Sequence, residues 1–251
     1  MSGGRPRVAV FDFTGCEGCQ LQILNLEAEL LSLAATVDLV EWREASSDRA
    51  ERYDIAFVEG SLSRPADEAH LQDIRARASV LVAMGACAVG GGVNQMVNAI
   101  GADAATRLVY GPAAPSPRLA SAAVRPLRDV VRVDHELPGC PIDGREFVRA
   151  LKALLLGATP PIPSHPVCVE CKRAQNVCRY ELGEVCLGPI TRAGCGARCP
   201  SHGMWCFGCR GPADDMNLPA ALAVVRRFGH APEELERRMA LFGLHTPRAG
   251  E

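Results

Sequence analysis

The residues best suited to chemistry are twelve cysteines, which form two groups along the 251-residue chain. Eight of them crowd into the segment from Cys168 to Cys209, and the other four are Cys16, Cys19, Cys87 and Cys140. In a reducing compartment so many thiols favour metal binding or catalysis over a disulfide framework. Twelve divides into three sets of four, and four thiolates are the usual complement of an iron–sulfur cluster or a structural zinc ion.

Composition narrows the class of protein. The formal charge of −2 shows no basic excess, so nothing suggests binding to nucleic acid. No apolar run is long enough for a membrane span, and the first residues lead into a strand without a secretory stretch or twin arginines. We therefore expect a cytoplasmic protein with no membrane-spanning segment.

The first thiol pair, Cys16 and Cys19, stands between a predicted strand and a predicted helix. The apolar run Val8–Phe11 is typical of a buried strand, and the helical pattern after the pair puts four apolar residues on one face: Leu21, Leu24, Ala28 and Leu31. Two cysteines at this spacing are ambiguous between a redox pair, half of a zinc site and half of an iron–sulfur site.

Strands and helices alternate through the first 157 residues. Further strands are predicted at Val37–Trp42, Ile55–Val58, Val80–Met84 and Val130–Val133. Helices are predicted at Ala66–Ala78 and after Asp143, the second with an apolar stripe of Phe147, Leu151, Leu154 and Leu155. This alternation indicates an α/β fold with a flavodoxin-like, doubly wound parallel sheet.

All four early cysteines follow the ends of predicted strands. The carboxyl ends of parallel strands share one edge of a sheet, so we expect Cys16, Cys19, Cys87 and Cys140 to form one site there. The alternative is that Cys87 and Cys140 are ordinary buried thiols, which are common in protein cores.

The second half is predicted to be a small irregular module. A proline-rich stretch from Gly157 to Pro166 separates residues 1–157 from residues 158–251. The cysteine-rich stretch has few apolar residues, so its order is expected to come from metal ligation, by iron–sulfur clusters or by a pair of structural zinc ions. Helices are predicted at Pro219–Phe228 and Pro232–Phe242 as packing elements, with partner contact as the alternative. Only His165 and His202 stand beside the clustered cysteines, and both are read as supporting or surface groups.

The ordered motifs resemble those of the small, electron-transfer subunit of nickel–iron hydrogenases. The similar motifs run from Thr-Gly-Cys16-Glu-Gly-Cys19 through Glu59-Gly-Ser, Gly-Ala-Cys87 and Pro-Gly-Cys140-Pro to Cys186-Leu-Gly-Pro-Ile-Thr, Gly-Cys195-Gly and Cys206-Phe-Gly-Cys209. The resemblance implies three 4Fe–4S clusters. The proximal one would be held by Cys16, Cys19, Cys87 and Cys140, the distal one by Cys168, Cys171, Cys178 and Cys186, and the medial one by Cys195, Cys199, Cys206 and Cys209.

Three departures from the membrane-bound and periplasmic members make the chain similar to the cytosolic branch. Cys168 stands where those members have a histidine ligand, Cys199 stands where they commonly have proline, and an export signal is missing. The cytosolic branch, which includes the sulfhydrogenases and the F420-non-reducing hydrogenases, couples to flavin, nicotinamide, deazaflavin or heterodisulfide modules.

The resemblance implies that the chain relays electrons between a nickel–iron site on a separate large subunit and such an acceptor module. No residue of this chain is then expected to be catalytic. Glu17 and Glu59 could orient a ligand, relay a proton, cap a helix or lie at the surface. The alternative function is an iron–sulfur subunit of another oxidoreductase, similar to complex I and without dihydrogen chemistry. The sequence leaves open the acceptor, the direction of electron flow and the number of copies.

Overall fold

The computed structural model describes residues 4–111 and 120–244. Backbone contacts divide the chain into two compact units, one up to Pro160 and one from Pro161 onward. The division falls inside the proline-rich stretch. Among the described residues, no helix combines the length and the apolar character needed to cross a membrane.

The first unit is built on a five-stranded parallel sheet with the strand order β2-β1-β3-β4-β5. Its strands are β1 (Arg7–Asp12), β2 (Asp38–Trp42), β3 (Tyr53–Glu59), β4 (Ala78–Met84) and β5 (His135–Leu137). The register pairs Asp12 with Glu59, Glu59 with Met84, and Met84 with Leu137, so four strands end level with one another. The predicted parallel α/β sheet is therefore confirmed.

The last strand lies later in the sequence than predicted. Val130–Val133 forms no strand, because a 3₁₀ turn at Leu127–Asp129 directs the amides of Val130 and Val131 back to the Leu127 carbonyl at 3.1 Å. The valines pack beside the core instead, which accounts for their apolar character. The fifth strand, which pairs with the outer side of β4, is the short segment His135–Leu137.

The helix after the first cysteine pair is also different from the prediction. It divides into α1 (Gly18–Leu24) and α2 (Ala28–Ala34), with Glu27 between them at a φ of 47°. Leu21 and Leu31 are 50% and 75% exposed, so the predicted apolar face is wrong at these two positions. The buried residues of α1 are Cys19, Gln20 and Ile23.

The remaining helices of the first unit flank the sheet. They are α3 (Asp67–Arg77), α4 (Gly85–Gly90), a 3₁₀ helix (Gly92–Ala99), α5 (Ala102–Tyr110) and α6 (Gly144–Leu155). The helix predicted after Asp143 is confirmed, and Asp143 caps it, because its carboxylate accepts a hydrogen bond from the amide of Glu146 at 3.0 Å. Phe147 and Leu151 of α6 are buried as predicted.

The second unit has short helices among its cysteines and two longer ones after them. These are α7 (Val167–Arg173), a 3₁₀ turn (Arg179–Leu182), α8 (Arg198–Ser201), α9 (Leu218–Arg227) and α10 (Pro232–Ala240). The two predicted C-terminal helices are confirmed. They contribute Val225, Leu235 and Met239 to an apolar core that also contains Val167 and Leu187. The unit thus buries more apolar surface than its cysteine-rich sequence suggested, because its apolar residues occur singly between thiols and only the fold collects them.

Candidate cysteine sites

The four early cysteines meet at the carboxyl edge of the sheet. Cys16 follows β1, Cys19 lies in α1, Cys87 lies in α4 directly after β4, and Cys140 follows β5. Burial, and then the nearby Cys16 and Glu59, raise the pKa of the Cys87 thiol to about 11. Burial, and then Cys87 and Cys16, likewise raise the pKa of Cys140 to about 11. Burial, then Glu59 and more weakly Cys140, raises the pKa of Cys19. The four thiols therefore lie close enough for their charges to influence one another.

Two glycines let the backbone pass directly against these thiols. Gly85 has a φ of +87°, and a Cβ atom added there would collide with the Cys19 Sγ. Gly92 has a φ of +58°, and its added Cβ would lie 2.7 Å from the Cys87 Sγ. Any other residue at either position would be strained and would displace a thiol.

Glu59 fixes the start of α1 beneath the site. Its side-chain oxygens accept hydrogen bonds from the amides of Cys19 at 3.0 Å and Gln20 at 3.1 Å. The residue is only 3% exposed, so these bonds satisfy a buried carboxylate. Of the roles left open by the sequence, this geometry is that of a capping residue.

Glu17 lies beside the same loop. Burial, followed by repulsion from Asp12 and Glu59, raises the pKa of its carboxyl group to about 7. Its side chain also accepts a hydrogen bond from the side-chain amide of Gln20.

Asn94 is a site residue that sequence reasoning missed. Its Nδ2 donates to the Thr14 carbonyl and the Ser61 hydroxyl, both at 3.0 Å, and lies 3.8 Å from the Cys87 Sγ. It thereby joins the loop before Cys16 to the segment that carries Cys87. No motif marks Asn94, and its only signal is its position shortly after a cysteine at a strand end.

The next four cysteines surround one cavity in the second unit. The cavity has a volume of about 80 Å³, and its lining includes Cys168, Cys171, Cys178 and Cys186. Burial, and then the other three thiols, raise the pKa of Cys168 to about 12.

Two hydrogen bonds and a close approach of the backbone hold this cavity in shape. The amide of Cys206 donates to the Cys186 Sγ at 3.1 Å, and the Tyr180 hydroxyl donates to the Cys186 carbonyl at 3.0 Å. A Cβ atom added at Gly188 would lie 3.3 Å from the Cys168 Sγ, so the cavity wall is backbone there.

The last four cysteines lie as two neighbouring pairs. Burial and then Cys195 raise the pKa of Cys199. Burial, then Cys186 and more weakly Cys209, raise the pKa of Cys206. The loops that carry the two pairs lie side by side, because the buried Arg210 donates from Nε to the Ala193 carbonyl at 2.7 Å. That the two pairs form one four-thiol site stays a prediction.

A side chain of α7 holds the loop around Cys195. The Glu170 carboxylate accepts hydrogen bonds from the backbone amides of Gly194 at 2.9 Å and Ala197 at 3.2 Å. Of the two histidines near this region, His202 has its Nδ1 2.8 Å from the Arg198 carbonyl, and the backbone carbonyl of His165 accepts the Ala193 amide at 2.8 Å.

The donor set fits a polynuclear cluster. The structure describes all twelve cysteines and joins none of them in a disulfide. Four thiols that line a cavity, with backbone donors aimed at sulfur, match the environment of an iron–sulfur cluster.

Comparison with known proteins agrees with this chemistry. Residues 16–154 match the family model described as the 20 kDa subunit of NADH–ubiquinone oxidoreductase. The chain belongs to this family. The match begins at Cys16 and includes all four cysteines of the sheet edge.

Relatives similar over most of the chain are hydrogenase subunits. The delta subunit of sulfhydrogenase 2 from Pyrococcus furiosus is 37% identical, over 94% of this chain and 98% of the relative. A subunit of the vhu F420-non-reducing hydrogenase from Methanocaldococcus jannaschii is 32% identical, over 96% and 94%. The delta subunit of the NAD-reducing hydrogenase HoxS from Cupriavidus necator is 32% identical, over 64% and 84%. This member of the family is therefore a hydrogenase subunit.

Solved structures confirm the fold. A chain of an NAD⁺-reducing [NiFe]-hydrogenase in the H₂-reduced state is similar with a TM-score of 0.58 and 28% identity, over 64% of this chain and 96% of that one. A chain of the actinobacterial-type NiFe-hydrogenase from Ralstonia eutropha H16 aligns over 98% of this chain and 94% of that one, with a TM-score of 0.54. At 16% identity the second comparison shows the fold alone.

Proposed function

We propose that this hydrogenase subunit relays electrons through three 4Fe–4S clusters, between the nickel–iron site of a separate large subunit and an acceptor module. The observation that carries the proposal is the meeting of four thiols from three separate strand ends at one edge of the sheet. Residues so distant in sequence gather at this edge when they bind a common ligand.

Each proposed cluster has its own four thiols. The proximal cluster is held by Cys16, Cys19, Cys87 and Cys140. The distal cluster is held by Cys168, Cys171, Cys178 and Cys186, and the medial cluster by Cys195, Cys199, Cys206 and Cys209. When bound, such clusters supply reversible one-electron transfer.

The surrounding residues hold the ligands and adjust their electronic environment. Glu59 and Asn94 fix the loops that carry Cys19 and Cys87. The amide of Cys206 donates a hydrogen bond to the Cys186 Sγ, and donors to sulfur make a cluster easier to reduce. No described group of this chain is assigned to the cleavage of dihydrogen.

The proposed partners are a nickel–iron large subunit and an acceptor module of the flavin, nicotinamide, deazaflavin or heterodisulfide type. The name of one relative supports the nicotinamide type, since that relative belongs to an NAD-reducing hydrogenase. Location in the cytoplasm stays part of the proposal, on the ground that twelve cysteines outside disulfides suit a reducing compartment.

Metal and sulfide analysis tests the proposal. The complex purified without oxygen should contain, in this subunit, about twelve iron and twelve sulfide ions, the stoichiometry of three 4Fe–4S clusters. Replacement of Cys87 by serine should remove the paramagnetic signal of one cluster and leave the other two. A subunit with stoichiometric zinc and no labile sulfide would end the iron–sulfur assignment.

The family description favours one second candidate, an electron-transfer subunit of a complex I-like oxidoreductase. The matched residues 16–154 lie within the first unit, however, whereas the hydrogenase relatives cover the second unit as well. A copurifying subunit that contains nickel would support the hydrogenase. Its absence from an intact complex would support the second candidate.

A further inference from the structure

We propose that the second unit presents a docking face, centred on Cys178, for an acceptor protein with an acidic rim around an apolar centre. The inference rests on the proposed function and extends it to the chemistry of the partner. Among the eight cysteines of this unit, all of which the structure describes, Cys178 is the exposed one.

Two exposed apolar residues stand near Cys178 in the chain, and a third packs on a residue of the cavity lining. Val177 precedes it and is 59% exposed, and Leu182 of the following 3₁₀ turn is 53% exposed. Phe228 is 38% exposed and packs on the Tyr180 ring, which lines the cavity, with ring centroids 5.5 Å apart. We call Val177, Leu182 and Phe228, together with Cys178, the Cys178 face.

Basic residues border this face on two sides. The exposed residues Lys172 and Arg173 end α7, and Lys172 also lines the cavity. The exposed residues Arg226 and Arg227 end α9, and the Arg227 guanidinium lies 5.9 Å from the centre of the Phe228 ring.

The balance of charge at the face is positive. Of the acidic residues in the 3₁₀ turn and just after it, Glu184 is paired with Arg179 at 2.7 Å, which leaves Glu181 against four cationic side chains. Charge complementarity at such a rim speeds association and selects partners, while a small apolar centre allows rapid release. A redox protein with carboxylates around an apolar contact matches both features.

The scarcity of lysine makes the face directly testable. The chain contains two lysines, Lys152 on α6 and Lys172 at the Cys178 face. A carbodiimide joins a lysine amine to a carboxylate that it already contacts, and both lysines are exposed to the reagent. Lys152 is therefore an internal control in the other unit.

The experiment uses the intact complex, purified with its acceptor subunit and treated with a carbodiimide. Peptide mapping should find Lys172 joined to an aspartate or glutamate of the acceptor subunit, and Lys152 should give no such product. Lys172→Arg keeps the charge but cannot form the product, so it should remove the cross-link and retain the acceptor. A link from Lys172 to the large subunit, or none to the acceptor, would overturn the inference.

A charge reversal gives an independent measurement. The double variant Arg173→Glu, Arg227→Glu should weaken binding of the acceptor subunit about tenfold at low salt, and added salt should reduce the difference. The matched control is Arg149→Glu on the first unit, which should leave the dissociation constant unchanged. Equal affinity of both variants contradicts the docking face. Iron content and paramagnetic signals of the same samples test the cluster assignment separately.

Discussion

In the proposed assignment, Cys199 decides what kind of cluster the third group of cysteines holds. Its thiol lies near Cys195. A 4Fe–4S cluster with three protein thiolates readily loses the iron that lacks a ligand. Cys199→Pro should therefore convert one cluster to the 3Fe–4S form, seen as a new paramagnetic signal in the oxidised protein, and should slow electron delivery from acceptor to dihydrogen.

The matched control for this change is His202→Ala, because His202 follows Cys199 by three residues and its backbone amide donates to the Cys199 carbonyl at 3.1 Å. Its Nδ1 lies 2.8 Å from the Arg198 carbonyl. We expect His202→Ala to keep three intact clusters. If it loses one iron while Cys199→Pro loses none, the fourth ligand has been assigned to the wrong residue.

A second prediction concerns Asp134, whose carboxylate joins two elements of the first unit. It accepts hydrogen bonds from the backbone amide of Leu81 at 2.9 Å and from the Arg75 guanidinium at 2.6 Å. Burial raises the pKa of this carboxyl, but the hydrogen bond from Leu81 and the interactions with Arg75 outweigh it, so the pKa lies below its usual value. Asp134→Asn should cost about 1–3 kcal/mol in the free energy of unfolding near neutral pH.

The sign of the pH dependence follows from the lowered pKa. The contribution of Asp134 is fully present above the pKa of the unfolded chain and is lost as the pH falls through the lower folded pKa. Denaturant unfolding should therefore show the gap between wild type and Asp134→Asn closing at acidic pH. A gap that stays constant down to about pH 2, below the usual range of carboxyl pKa values, contradicts the assignment.

At the residue scale, the positions of the early thiols were predictable because strand ends share an edge. The supporting side chains were not. Asn94 and Glu170 reach loops 80 and 24 residues away from them, so their roles arise only in the tertiary structure. The sequence marked Glu59 as part of a motif, but only the geometry shows that it caps α1.

Among the elements, α10 has the most specific attachment to the cysteine loops. Arg238 donates to the Val185 carbonyl, next to Cys186, and its guanidinium lies 4.1 Å from the centre of the Trp205 ring. Arg238→Met keeps much of the aliphatic stem but loses the cation–π contact and the hydrogen bond. It should destabilise the second unit by about 2 kcal/mol.

The measurement is denaturant unfolding of the complete subunit, with iron retention followed in parallel. Arg237→Met on the same helix is the control, since Arg237 is exposed and should change stability by less than about 0.5 kcal/mol. Equal effects of the two changes would show that the contacts of Arg238 do not anchor the helix.

Helices and strands were predictable where the local sequence pattern agrees with the pairing and packing in the fold. The strands β1, β3 and β4 and the helices α3, α6, α9 and α10 are such cases. The prediction was wrong where they conflict. Val130–Val133 has the composition of a strand, but no partner strand pairs with it, and the turn at Glu27 breaks a run whose periodicity suggested one helix.

For the whole molecule, the assignment of all twelve thiols to clusters leaves no cysteine for a nickel site. The isolated subunit, with its clusters but free of nickel protein, should therefore fail to reduce a dye with dihydrogen. Dithionite should still bleach its iron–sulfur absorption, which shows that the clusters are intact. Hydrogen-dependent dye reduction by the nickel-free subunit would contradict the proposed division of labour.

The division of the chain near Pro160 has a consequence for how such subunits diversify. The family match ends at residue 154, close to the boundary between the two units. Each unit has its own buried core, so a recombination event in the proline-rich stretch would cut through neither. We expect the part of the gene after this point to be inherited and exchanged as a block. A lineage that replaces this block would acquire a new electron acceptor, while the sheet and the four cysteines at its carboxyl edge are inherited unchanged.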